Sequence, residues 1–133
     1  MIYLDTAALV KLVRIEAESA ALVAWLGERT EHALVCSTLA EVELPRALRR
    51  RQPAALGIVA GVLARLHRVE INAAVRATAG GYPEPTLRSL DAIHLATAEF
   101  LQASGEPIAA FVTYDKRLAE AVVRTGLTVE APA

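Results

Sequence analysis

Short apolar runs alternate with longer segments of helical periodicity from one end of the chain to the other. That alternation limits the fold more than any other feature. Residues 2–4 read as a buried strand, followed by helices over 6–13 and 16–28, the second with Ala21, Leu22, Trp25 and Leu26 as its apolar stripe. A second strand is expected over 33–36, a helix over 38–51, and another from Pro53 to about residue 66, where the proline suits a first helical turn. A short third strand falls at 69–71. Asn72 is placed to cap a helix that ends near Gly80 and Gly81. After the proline-marked loop at 82–85 come a strong amphipathic helix over 89–103, a strand over 108–113, a helix over 115–125 stopped by Gly126, and a last strand over 127–129. Strands that alternate with helices imply an α/β fold, with a parallel sheet covered on both faces.

The composition suits that architecture. With 133 residues the chain fits a single domain spanning 1–133, and 54% hydrophobic residues can fill its core. Aromatics are only 5%, so alanine, valine and leucine must do the filling. The net charge of −1 offers no global signal for nucleic acid. The lone Cys36, in an apolar setting, is expected to be a packed thiol, in keeping with a reducing cytoplasm. The first residues lack the basic and apolar regions of a signal peptide, and no stretch approaches the roughly 20 apolar residues of a membrane span.

The chemistry lies in where certain acids fall. Asp5 directly follows the first strand, and Asp115 lies just past the fourth. Glu41 sits in the first turn of the helix after the second strand, and Asp91 opens the helix before the fourth. Open α/β sheets bind ligands at the carboxyl ends of their strands, where strand order reverses. Each acid also has a plain structural explanation. Asp5 and Asp115 are good N-caps, Thr38–Glu41 has the pattern of a capping box, and Asp91 favours the positive end of its helix. The apolar surroundings of Asp5 and Asp91 tip the balance. Enclosed carboxylates repel one another and take up protons unless a cation joins them. An all-oxygen set of this kind suits Mg²⁺ or Mn²⁺, and no Cys/His spacing suggests zinc.

Four segments carry a family resemblance. They are Met1-Ile2-Tyr3-Leu4-Asp5-Thr6-Ala7-Ala8-Leu9-Val10-Lys11-Leu12, Ser37-Thr38-Leu39-Ala40-Glu41-Val42-Glu43, Leu90-Asp91-Ala92-Ile93-His94-Leu95-Ala96-Thr97-Ala98, and Val112-Thr113-Tyr114-Asp115-Lys116-Arg117-Leu118. In order and spacing the chain resembles PIN-domain ribonucleases, and most of all the VapC toxins of bacterial type II toxin–antitoxin pairs. The resemblance implies a five-stranded parallel sheet in order 3-2-1-4-5. It implies a Mg²⁺- or Mn²⁺-dependent endoribonuclease with Asp5, Asp91 and Asp115 as metal ligands, and Glu41 completing the catalytic set by ligating through water or orienting the attacking water. It further implies a structured RNA substrate such as a tRNA or ribosomal RNA loop, products with 5′-phosphate and 3′-hydroxyl ends, a VapB-like antitoxin, and a homodimer.

Other residues have competing readings. Glu43 lies two helical positions beyond Glu41, so the two cannot face the same way; the family pattern selects Glu41. His94 is three residues after Asp91, with a hydrogen-bonded structural role favoured over RNA contact. Thr6 and Thr113 are candidates to orient the carboxylates or metal-bound water. Arg46, Arg49, Arg50 and Arg51 form either a solvated helix face or a phosphate-binding surface. Trp25 and Leu26 are core or partner surface. A different class of function remains open: a catalytically degenerate PIN fold acting as a binding module, or a receiver domain. A receiver would want paired acids after its first strand and a lysine after its last. Asp5 stands alone, and Glu130-Ala131-Pro132-Ala133 follows the last strand. No acidic position is missing, as a degenerate fold would lead one to expect.

Overall fold

The computed structural model describes residues 1–133. The first strand, β1 (Ile2–Leu4), is completely buried and passes into helix α1 (Thr6–Val13) and then α2 (Ser19–Gly27). Strand β2 (Leu34–Ser37) leads to α3 (Ala40–Arg51), a 3-10 helix (Pro53–Ile58) and α4 (Val59–Ala64). Then come β3 (His67–Val69), α5 (Ala73–Gly80), α6 (Ser89–Ala103), β4 (Ala110–Val112), α7 (Lys116–Arg124) and β5 (Val129–Glu130). All pairings are parallel, in the order β3-β2-β1-β4-β5.

Because strand side chains alternate, β1 divides its residues between two cores. Ile2 and Leu4 join Leu9, Leu22, Leu44, Leu48, Val62 and Val112 on the side covered by α1 to α4. Tyr3 joins Val35, Leu95, Phe111, Leu118 and Val122 on the side covered by α6 and α7. Two of the six aromatics, Tyr3 and Phe111, are fully buried. The rings of Tyr3 and Phe111 stack with centroids 4.8 Å apart. Cys36 is buried in the first core, and desolvation pushes its thiol up to about 12, so it stays protonated and unreactive.

Three local expectations needed correction. The edge strand β3 lies at His67–Val69 rather than 69–71, pairing Val35 with His67 and Ser37 with Val69. It is an exposed polar edge with no alternating apolar signature. The helix expected from Pro53 to residue 66 splits into a 3-10 segment and α4, with Gly57 near the junction. Glycine is a poor helix former, which favours a break there. Finally, α3 starts at Ala40 rather than residue 38, and the Thr38–Glu41 capping box does not form. Leu39 takes the cap position, Ser37 Oγ accepts from the Leu39 amide at 3.0 Å, and Thr38 turns its hydroxyl toward Glu70. The caps by Asp5, Asn72 and Asp115 are all present. Gly126, with φ of +88°, follows α7 in the left-handed conformation that glycine tolerates best.

Candidate active site

The register between β1 and β4 fixes the geometry. Leu4 pairs with Val112, so the chains leave the sheet side by side with Asp5 next to Thr113. This is the point where strand order reverses, with β2 and β3 on one side of β1 and β4 and β5 on the other. A cleft of about 550 Å³ opens here. Asp5, Glu43, Asp91, His94 and Asp115 line it, together with Arg46, Arg50, Arg51 and Arg88.

Asp5 is 4% exposed and caps α1 with Oδ1, which accepts from the Ala8 amide at 2.8 Å. Asp115 caps α7 in the same way, through the Leu118 amide at 3.0 Å. Capping and site-forming are therefore compatible. Each cap fixes the carboxylate at the mouth of the cleft. Burial raises the Asp5 carboxyl above its ordinary range, and the charge of Asp115 adds to that effect. His94, the Thr113 hydroxyl and the Ala8 amide work against it. Thr113 also accepts from the Asp115 amide at 3.1 Å, so one buried side chain supports both aspartates.

Asp91 stands in the first turn of α6. Burial raises its carboxyl, and Asp115, Asp5 and Glu43 raise it further by repulsion; no hydrogen bond relieves it, only the attraction of His94. Two carboxyls raised by burial and by the nearby charge of Asp115 form the arrangement a cation relieves. No group of three such side chains is preassembled at chelating distance. An ion here would keep several of its own waters or take oxygens from a substrate, as Mg²⁺ commonly does. The oxygen-only donors and their mutual repulsion fit a hard divalent cation.

The fourth acid differs from the one expected. Glu41 points away from the cleft and pairs with Arg68 at 3.2 Å on the exposed β3 side. Glu43 faces the cleft in its place. Its Oε1 accepts from the Thr6 hydroxyl at 2.7 Å and lies 2.9 Å from His94 Nε2. Burial alone would raise this carboxyl, but the bonds from His94 and Thr6 outweigh it and hold Glu43 below its ordinary value. Both bonds fall on Oε1.

His94 is 2% exposed, and its Nδ1 lies 2.8 Å from the Tyr3 hydroxyl. Desolvation raises the Tyr3 phenol well above its ordinary value, so it keeps its proton and can donate to Nδ1. With Nδ1 facing the Tyr3 hydroxyl, Nε2–H is the ring donor to Glu43. The hydrogen-bonded role expected for His94 is what the structure shows, and Thr6 and Thr113 both touch site carboxylates as anticipated. Arg88 was not singled out from the sequence. It is a lone arginine beside a proline-rich loop, and only the position of α6 brings it to the cleft.

The sequence profile of the PIN domain matches residues 2–123. Ribonuclease VapC35 of Mycobacterium tuberculosis is 58% identical over 132 residues, spanning 99% of this chain and 97% of the relative. Among solved structures, Mycobacterium tuberculosis VapC20, described as a Sarcin-Ricin loop cleaving toxin, superposes with a TM-score of 0.71 at 18% identity, covering 91% of this chain and 95% of that one. VapBC2 from Rickettsia felis, solved bound to a DNA fragment from their promoter, gives 0.66 at 16% identity and 100% coverage of both chains. At these identities the two structures speak to the fold alone.

Proposed function

The chain belongs to the PIN-domain family, among the VapC ribonucleases, and from that premise we propose a metal-dependent endoribonuclease that cuts structured RNA as the toxin of a toxin–antitoxin pair. The observation that carries the reading is the convergence of Asp5, Asp91, Asp115 and Glu43 on one cleft at the switch point of the sheet. Asp5, Asp91 and Asp115 would hold Mg²⁺ or Mn²⁺. When bound, the ion supplies an acidified water and neutralises charge on the phosphate.

The chain's own residues do the rest. The caps on α1 and α7 hold Asp5 and Asp115 in fixed orientation. Asp91 brings a third negative oxygen from α6. Glu43 stays ionised because Thr6 and His94 donate to it, and its second oxygen is available to accept a proton from an attacking water or to orient that water. Glu43 takes the role first expected of Glu41.

Close relatives are named ribonucleases, and the VapBC2 structure carries a second component. Those names support an antitoxin partner for this chain. Trp25 and Leu26 are poorer contact candidates than expected, because both are half-buried against the first core and Arg29 covers the Trp25 ring at 4.2 Å. Ile15, in the connection after α1, and Val23 of α2 are exposed and line a groove between α1 and α2. An apolar antitoxin segment would lie there.

The test is cleavage of a panel of structured RNAs, tRNA and ribosomal loops included, by purified protein with Mg²⁺ or Mn²⁺, with EDTA, and as Asp5→Asn. Cutting should require the metal and the aspartate. Undiminished cutting in EDTA would remove the metal from the mechanism. Inactivity across the panel would favour a binding module.

A further inference from the structure

We propose that Arg46 and Arg50 of α3, together with Arg88 at the start of α6, clamp the phosphodiester backbone of the RNA beside the scissile bond. The inference rests on the ribonuclease reading of the same cleft and adds to it the residues that hold the substrate. All three arginines line the cleft that contains the carboxylates. On α3, Glu43, Arg46 and Arg50 are three and seven residues apart, which places them along one face, each about one helical turn from the next. Ala47, also in the lining, is small enough to leave the space between them open.

They are the only arginines that both line the cleft and form no ion pair; Arg65, Arg76 and Arg117 are unpaired but lie outside the lining. Arg14, Arg29, Arg51, Arg68 and Arg124 are engaged with carboxylates, Arg51 with Glu16 at 3.6 Å. Arg46, Arg50 and Arg88 form no ion pair, although acids share their cleft. Arg49 is turned about a quarter of the way round α3 from that face, and lies outside the lining. A floor of carboxylates repels a polyanion, so a phosphate chain reaches it only if cations stand close by. Unpaired guanidiniums meet that need and bind phosphate oxygens through two parallel bonds. The clamp contacts the backbone rather than the bases, so it positions the RNA without reading its sequence.

The experiment is fluorescence anisotropy with a labelled 2′-O-methyl RNA hairpin in EDTA, which separates binding from cleavage, repeated over a range of salt concentrations. The logarithm of affinity should fall linearly with the logarithm of salt. Arg46→Ala/Arg50→Ala should weaken low-salt binding about tenfold or more and lower the slope by about one per lost contact. Arg46→Lys/Arg50→Lys should keep the slope while losing affinity, because the charge remains and the fork does not. Arg49→Ala, on the same helix, is the control and should match the wild type. An unchanged slope in the double alanine variant, an equal loss in Arg49→Ala, or no binding by the wild type would overturn the clamp. Metal-dependent cleavage of unmodified RNA is measured in parallel. Intact clamp behaviour without any cleavage would count against the ribonuclease reading alone.

Discussion

His94 Nε2 lies 2.9 Å from Glu43 Oε1, a bond that ties α6 to α3 across 51 residues of sequence. Behind it the Tyr3 hydroxyl holds the other ring nitrogen, Nδ1. The acid in the cleft is thus aimed by a buried chain that starts on the central strand. Replacing His94 with Leu removes the donor and should lower the turnover number by about 10–100-fold, the range typical of outer-shell partners, with little change in KM. His94→Gln can still donate an amide hydrogen and should recover part of the loss. An equal rise in KM for both variants would show that the imidazole serves binding instead.

Tyr3→Phe tests the next link. It leaves His94 Nδ1 buried without its donor, at a cost of about 1–3 kcal/mol. A lowered urea midpoint with unchanged slope should report it. A midpoint equal to the wild type would mean that another group satisfies the ring.

Glu43→Gln should reduce the cleavage rate by about 10²-fold or more, as expected when a group acting in proton transfer is lost. Glu41→Gln should leave it near the wild-type value. The comparison is a single-turnover rate at saturating metal. The opposite ranking would restore Glu41 and dismiss the cleft geometry.

That exchange of glutamates marks where sequence reasoning ran out. With about 100° per residue, the buried stripe of Ala40, Leu44, Ala47 and Leu48 has Glu41 roughly 75–85° to one side and Glu43 a similar angle to the other. Amphipathicity therefore cannot choose between them. The choice depends on which neighbour stands on each flank: Thr6 and His94 on one, Arg68 on the other. Those are tertiary facts. Asp5 and Asp115 were legible because strand end, cap and acid coincide in three or four consecutive residues. Asp91 was legible from its place at the start of a long helix. The sheet order followed from family resemblance, since helix and strand periodicity leave order open. The shift of β3 was illegible for a local reason: an exposed edge strand carries no alternation.

Charge repulsion in the cleft has a sign that can be measured. Asp5 and Asp91 both titrate above their ordinary value of 3.8 in the folded protein. The folded state therefore holds these protons more tightly than the unfolded chain. Their contribution to stability is full below about 3.8 and is lost as pH rises through the folded values. In EDTA at neutral pH, Asp5→Asn and Asp91→Asn should raise Tm by a few degrees, the shift that about 1 kcal/mol produces in a domain of this size. Asparagine also keeps a good N-cap at position 5. The gain should vanish on acidification, and Mg²⁺ should stabilise the wild type more than either variant. Glu43 runs the other way: its lowered carboxyl adds stability above its ordinary value of 4.5 that is lost as pH falls. A Tm for Asp91→Asn that is unchanged at pH 7 would show that the repulsion is negligible.

Toxicity should follow the same residues. Induction of the wild type alone should arrest growth of its host; Asp5→Asn should not, and co-expression of the adjacent antitoxin should rescue. Ile15→Glu or Val23→Glu should weaken that rescue, because a charge enters the groove between α1 and α2. Harmlessness of soluble, expressed wild-type protein would contradict the toxin reading.

The four carboxylates come from residues 5, 43, 91 and 115, and β4, the strand that delivers the last of them, docks directly against the first. During synthesis, therefore, the nascent chain holds no assembled site while most of its length is being made. Asp5 waits on the ribosome for more than a hundred residues, until β4 and the segment after it have emerged. The cleft therefore gains its last carboxylate only after the other three have already been made.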